Sequence, residues 1–302
     1  MKVLVLLALS LCMGQAALAQ PGSGIDAALE AYRDSDAVAA INLLHPLAVG
    51  GNAEAQFTLG MVLEFGLAKA REAALWYARA SESGHAAAAN SLGAMYFDGR
   101  GVPKNRERAR DLYLDAARKD YAPAQYNLAQ LYGQGLVGPR DDAQMIAWLE
   151  RAAKSGYGKA QAQLGRLYMD GVGVPKDYAA AVRWFRAAAD QGDPHGQFHL
   201  GALMQAGIGV ARDLDQSRAW LEKAAEQGNN PASFELARCY ELGLGVQPDA
   251  AKALGYYRRS ADADYPPAIE RLLRIYRDGE LGVARDETLA QLMAIRLRLR
   301  SR

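Results

Sequence analysis

Gly158-Lys-Ala-Gln-Ala-Gln-Leu-Gly-Arg-Leu-Tyr-Met-Asp-Gly-Val-Gly-Val-Pro-Lys-Asp-Tyr-Ala-Ala-Ala-Val-Arg-Trp-Phe-Arg-Ala-Ala-Ala-Asp-Gln-Gly-Asp193 carries two apolar stripes of helical spacing, separated by a glycine-rich break. Ala160, Leu164, Leu167 and Tyr168 fall at i, i+4, i+7 and i+8, one face of a helix A. Gly171-Val172-Gly173-Val174-Pro175 ends that face, because glycine supplies the positive φ of a helix stop and proline cannot continue the ladder. Asp177 is placed to accept from the free amides of a second helix, B. Ala181, Trp184, Ala188 and Ala189 form the expected apolar face of B, and Gly192 closes it. Nothing alternates with period two, so no sheet is expected.

The same signals recur outward from this stretch every 36 residues. Leu92, Leu128, Leu164, Leu200, Leu236 and Leu272 form one series, each followed four residues later by Tyr96, Tyr132, Tyr168, Met204, Tyr240 or Tyr276. Trp76, Leu112, Trp148, Trp184, Trp220, Tyr256 and Leu292 form a second. Gly84, Asp120, Gly156, Gly192, Gly228 and Asp264 form a third, and Gly99, Gly135, Gly171, Gly207, Gly243 and Gly279 a fourth. Asn105, Asp141, Asp213 and Asp249 share the capping slot of Asp177. Leu59-Gly60 stands 33 rather than 36 residues before Leu92-Gly93, because the loop after Gly66 is three residues short. A fixed period of this length means one two-helix unit copied along the chain, each copy burying its apolar face only against its neighbours. The fold class that follows is all-α, a right-handed α/α superhelical solenoid of 36-residue helix-turn-helix repeats.

Before the repeats, Met1-Lys2, an apolar run from Val3 to Met13 and Ala17-Leu18-Ala19 read as a secretory signal peptide over residues 1–19, cut after Ala19. The run is too short to span a bilayer. Lipid attachment at Cys12 is a weaker alternative, since Leu11 stands where a small residue is wanted. Cleavage lowers Lys+Arg from 35 to 34 against 34 Asp+Glu, a net charge of zero. That balance gives no reason to expect nucleic acid as a partner. It leaves Cys239 as the sole cysteine and no intramolecular disulfide.

The pattern A-x-x-x-L-G-x-x-Y, G-x-G-V-x-x-D, A-x-x-W-[FL]-x-x-A-A and a closing G resembles the Sel-like (SLR) repeat family, an α/α solenoid related to tetratricopeptide proteins. The resemblance covers residues 53 to 302 as seven copies, with a degenerate copy or cap over residues 20–52, in which Ile25 to Arg33 matches a helix A and Asp36 to Gly51 a helix B with Leu43 in the tryptophan slot. Departures fall at the first loop, at Leu136-Val137, and in the last copy at Leu272-Leu273 and Leu292.

Catalytic signatures are missing from the sequence. The G-x-G pairs at Gly99, Gly171, Gly207 and Gly243 follow helices rather than strands, so they read as turns and not phosphate cradles. No S-x-x-K, G-x-S-x-G or G-K-[ST] occurs. His195 and His199 have the i, i+4 spacing of a metal pair but lack the glutamate of a zincin, and His195 stands at a helix start where the dipole disfavours a cation. They are expected to be a capping and a surface histidine, with no cofactor or metal.

The resemblance implies that helix A of each copy lines a concave ligand groove. The slots counted from Leu-Gly put Met61, Phe97, Asn127, Gln130, Arg166 and Met169 in the early part. Arg238, Arg271, Arg274 and Arg277 gather in the last two copies. The arginines suit an acidic peptide or envelope glycan; a solvated face balanced by Glu235, Glu241, Glu270 and Asp278 is the alternative. Phe57, Tyr126, Phe198 and Phe234 are expected to pack between helices. The resemblance implies an exported, periplasmic or secreted, non-enzymatic bacterial scaffold for protein-protein interaction in the cell envelope. The competing class is a cell-wall hydrolase of the penicillin-binding or β-lactamase-like kind, for which the sequence lacks both the nucleophile and the cysteine pairs.

Overall fold

A computed structural model describes residues 24–300, so the signal sequence, Cys12 and the cleavage site after Ala19 lie outside the described residues. Among the described residues there are sixteen α-helices and no strand, arranged as consecutive pairs. The chain divides into two compact units. The first, through Ala152, contains α1 (Gly24–Arg33), α2 (Ala37–Val49), α3 (Ala53–Met61), α4 (Ala70–Glu82), α5 (Ala86–Asp98), α6 (Arg106–Arg118), α7 (Ala122–Gly133) and most of α8 (Asp142–Lys154). The second contains α9 (Gly158–Asp170), α10 (Tyr178–Asp190), α11 (Pro194–Ala206), α12 (Leu214–Glu226), α13 (Asn230–Leu242), α14 (Ala250–Asp262), α15 (Pro266–Asp278) and α16 (Glu287–Arg300).

The helix boundaries come from local chemistry. Side-chain oxygens of Asn105, Asp141, Asp177, Asp213 and Asp249 accept from the amide three residues on at 2.8–2.9 Å, capping each B helix as its slot requires. Gly99, Gly171, Gly207, Gly243 and Gly279 stop A helices in the left-handed region. Where aspartate replaces glycine after a B helix, at Asp120 and Asp264, φ is still positive, at 56° and 61°; aspartate is among the few residues that tolerate this. In the short first loop, a π-helical turn over Val62–Gly66 carries the chain into α4.

The second glycine of G-x-G has a separate job. A Cβ at Gly101 would lie 2.5 Å from the Ala70 carbonyl carbon, and one at Gly209 2.6 Å from the Tyr178 oxygen. The loops carrying Gly101, Gly209 and Gly245 therefore rest directly on the start of the B helix one copy earlier, at Ala70, Tyr178 and Leu214. At these three positions the second glycine is required by packing as well as by its positive φ.

Helix B differs from expectation in register. The aromatic members of the tryptophan slot are half-buried, while Leu112 is buried and Leu292 exposed; the residue after the slot is the core member, with Tyr77, Leu149, Phe185, Leu221 and Tyr257 at most 1% exposed, and Leu44 likewise follows the exposed Leu43. Ala181, Phe185 and Ala189, spaced by four, form the inward stripe, and Trp184 sits at its edge. The ring after the tryptophan fills the space that glycine leaves in the facing Leu-Gly pair. A Cβ at Gly60 would be 2.6 Å from Tyr77, and at Gly93 2.8 Å from Tyr113.

A glutamine near the start of many A helices binds consecutive pairs together. Nε2 of Gln56, Gln125 and Gln161 donates to the carbonyl oxygens of Ala48, Ala117 and Ala153 at 3.0–3.2 Å, all buried. These carbonyls belong to the last turn of the preceding B helix, where backbone acceptors otherwise lack partners.

Candidate functional site

In the first unit, α5, α6 and α7 and the loop after α7 enclose a cleft of about 260 Å³. Phe97, Tyr113, Asn127, Gln130, Leu131, Gln134 and Leu136 line it, and none of the seven carries a formal charge. The 36-residue geometry places successive A helices so that Asn127 Nδ2 donates to Asn90 Oδ1 at 2.8 Å across two copies. Gln134 Nε2 donates to Gln130 Oε1 at 3.0 Å one turn along α7. Each such bond leaves further donor and acceptor capacity on the two amides, the same pair of functions that a peptide group presents. Phe97 and Leu136 add apolar walls. Leu136 belongs to the irregular Leu136-Val137 loop, so the departure from the repeat pattern contributes to the cleft.

Phe97, Asn127 and Gln130 thus line one cleft. Met61 is half-buried against the first core, Met169 packs on the core around Phe185, and Arg166 is exposed on α9.

The arginines at the other end are differently placed. Arg238 pairs with Glu235 at 3.0 Å. Arg271 is held by both Glu241 and Glu280, its side chain only 19% exposed. Tyr257 donates to the same Glu241 at 2.5 Å. Burial alone would raise the Glu241 carboxyl, but the hydrogen bonds from Arg271 and Tyr257, together with the arginine charge, outweigh it and hold the group below its usual value. Exposed Arg277 pairs with neighbouring Asp278 at 2.8 Å. Arg274 is exposed and, among the described residues, makes no ion pair. The first unit repeats the buried tyrosine–glutamate–arginine arrangement: Tyr77 donates to Glu64 at 3.0 Å, and Arg100 closes the pair. Acids that the sequence left as a possible counterweight therefore act as structural partners of Arg238 and Arg271.

The histidines resolve separately. The cap of α11 is Asp193, whose carboxylate accepts from the amides of His195 and Gly196 at 3.0 and 2.8 Å. His195 is exposed and does not cap. His199 is half-buried rather than an open surface group, and it stacks on Phe185 with centroids 4.7 Å apart. Burial, with smaller contributions from His195 and Arg166, lowers its pKa to about 4. Among the described residues no three metal-ligating side chains cluster. Phe57 and Phe234 pack as expected, Phe57 against Tyr77 and His85, and Phe234 against Tyr257 and Tyr265.

Paired helices, most of them 13 residues long and joined by recurring caps, glycines and glutamines, define an α/α solenoid repeat protein. The Sel1 repeat model matches residues 53–85, 86–121, 122–157, 158–193, 194–229 and 230–265. The chain belongs to the Sel1 repeat family. It is similar to the crystal structure of a Sel1 repeat protein from Oxalobacter formigenes, with a TM-score of 0.74 and 30% identity over 80% of this chain and 96% of that one. It is also similar to c5321, a protective antigen of uropathogenic Escherichia coli displaying an SLR fold, with a TM-score of 0.75 and 29% identity over 92% of this chain. The match spans 61% of the c5321 chain. No curated protein matches. The helix pairs at α1–α2 and α15–α16 lie outside the six matched copies. As a Sel1 repeat scaffold, the protein is suited to protein-protein interaction.

Proposed function

We propose that the chain is an exported, non-catalytic scaffold of a bacterial cell envelope that holds an extended, largely uncharged segment of a partner protein in the amide-lined cleft of its first unit. The observation that carries this is the set Asn90, Asn127, Gln130 and Gln134, arrayed beside Phe97 and Leu136 with no charged side chain lining the cleft. Amide side chains recognise a peptide backbone by matching its donor and acceptor, and the apolar walls select one or two side chains. Export and an envelope location rest on the sequence features of residues 1–19, and a protein partner on membership of the family. The absence of hydrolase nucleophile motifs from the sequence supports a binding role.

An acidic ligand on the last copies has narrower support. Arg238 and Arg271 already have carboxylate partners, so such a ligand would rely mainly on Arg274, with Arg277 available only by exchange from Asp278.

The test is crosslinking and pull-down of the full-length protein from its own envelope fraction, comparing wild type, Asn127→Ala/Gln130→Ala and Arg238→Glu/Arg274→Glu. The proposal expects the amide pair to lose the main partner and the charge reversal to keep it. The opposite result would move the binding site to the arginines. Mass spectrometry of the same sample tests export: Gln20 at the amino terminus supports it, and an acylated Cys12 replaces it with lipid anchoring.

A further inference from the structure

Three of the four tryptophans have one ring face covered by a basic residue three positions on. Arg79 lies 4.5 Å from the Trp76 ring centroid, Arg151 5.0 Å from Trp148, and Lys223 4.2 Å from Trp220. A further copy covers its aromatics in another way. Lys252 lies 5.1 Å from Tyr240, and Tyr240 stacks on Tyr256 at 5.7 Å. In the copy formed by α9 and α10 both basic positions are alanine: Ala187 stands where Arg79, Arg151 and Lys223 stand, and Ala180 where Lys252 stands. Among the described residues no cation lies over Trp184.

The space left by those two truncations is an open cleft of about 480 Å³, lined by Tyr168, Asp177, Ala180, Arg183, Trp184 and Ala187. Its aromatic surfaces belong to the same two slots that hold cations elsewhere in the chain. Asp177 adds a negative charge: one carboxylate oxygen accepts from the Ala180 amide at 2.9 Å, and the other makes no hydrogen bond. Arg183 is exposed at the rim without an ion-pair partner, and its long side chain is free to turn to solvent.

We infer that this cleft is a receptor for a basic side chain of a partner protein, an arginine or lysine that lies on the Trp184 face between Tyr168 and Asp177 and supplies the cation that the repeat itself omits. An aromatic face attracts a cation within about 6 Å of its centroid, tryptophan most strongly. The carboxylate of Asp177 favours the same charge. This site is independent of the amide cleft, and its test does not depend on whether that cleft binds anything.

The experiment uses the full chain, isotopically labelled, with its four tryptophan indole N–H signals assigned by single Trp→Phe variants and titrated with Nα-acetyl-arginine amide. The Trp184 signal should move while the other three, already covered, stay in place. Ala187→Lys restores the self-covering arrangement of Trp220 and should weaken the response roughly tenfold or more. Asp177→Asn, which keeps the cap, should weaken it, and Arg183→Gln should strengthen it. Movement of all four indoles together, no movement of Trp184, or an Ala187→Lys response equal to wild type would overturn the inference. So would a Trp184 shift produced by N-acetylglucosamine but not by the arginine amide, which would make the cleft a sugar platform.

Discussion

Gly165 lies so close to Phe185 that a Cβ added to the glycine would be 2.7 Å from the ring. The contact joins the Leu-Gly pair of α9 to the core residue of α10. Phe185→Ala empties a fully buried site and should cost about 3–5 kcal/mol in urea denaturation. Gly165→Ala gains helix propensity of roughly 1 kcal/mol but forces the ring to move, at roughly 1–3 kcal/mol, so a net loss is expected. Trp184→Ala, at a half-buried edge, should cost clearly less than Phe185→Ala. Equal losses would return the tryptophan to the core.

That register is where sequence and structure part. Period, helix pairing, caps and glycine stops were legible because each depends on residues close in sequence: Asp177 caps an amide three positions away, and Gly171 ends its own helix. The inward face of helix B was harder, since Trp184 and Phe185 are both large and apolar and lie only about 100° apart around the axis. The facing Gly165 is the signal that decides between them. Similarly, the series Gln56, Gln125, Gln161 and Gln197 keeps the repeat period, but its partners are backbone carbonyls of the preceding helix, invisible to a search for side-chain patterns. Of the candidate site, Phe97, Asn127 and Gln130 were placed by counting slots. Leu136 lay in a loop that breaks the pattern, and the pairing of Arg271 with Glu241, 30 residues away, depends on how neighbouring helices stack.

Glu241→Gln should lower stability by about 1–3 kcal/mol at neutral pH, because it weakens charge-assisted hydrogen bonds to a largely buried arginine that keeps only Glu280 as an ionic partner. The folded-state carboxyl is held below its ordinary value, so its contribution is present above that value and fades as pH falls through the folded one. The variant should therefore lose less stability than wild type on acidification below about pH 4.5. Parallel acid limbs for the two proteins would place the pH dependence elsewhere.

His199 gives a second, distinguishable pH window. Its folded pKa of about 4 lies below the ordinary histidine value of 6.5. Between those values the unfolded chain binds a proton that the folded chain does not, so stability falls as pH drops from about 6.5 towards 4. His199→Phe, which keeps the stack on Phe185 and cannot titrate, should flatten that part of the profile by up to a few kcal/mol. Proton titration of the imidazole by NMR gives the independent check: a midpoint near 6.5 would contradict the burial of the ring.

Cys239 should report opening of the second unit. Its thiol is 2% exposed, and burial, reinforced by the charge of Glu235, pushes its pKa up to about 11. Reaction with a thiol reagent requires both access and thiolate, and the folded chain withholds both. Labelling at neutral pH should therefore be slow and should accelerate in parallel with denaturant-induced unfolding. Phe185→Ala and Glu241→Gln should each raise the labelling rate in native buffer if the second unit opens cooperatively. A rate raised by Glu241→Gln alone would instead mark the end of the unit around Cys239 as opening by itself. Fast labelling of the wild type before any loss of helical signal would mean that Cys239 reaches solvent in the folded protein.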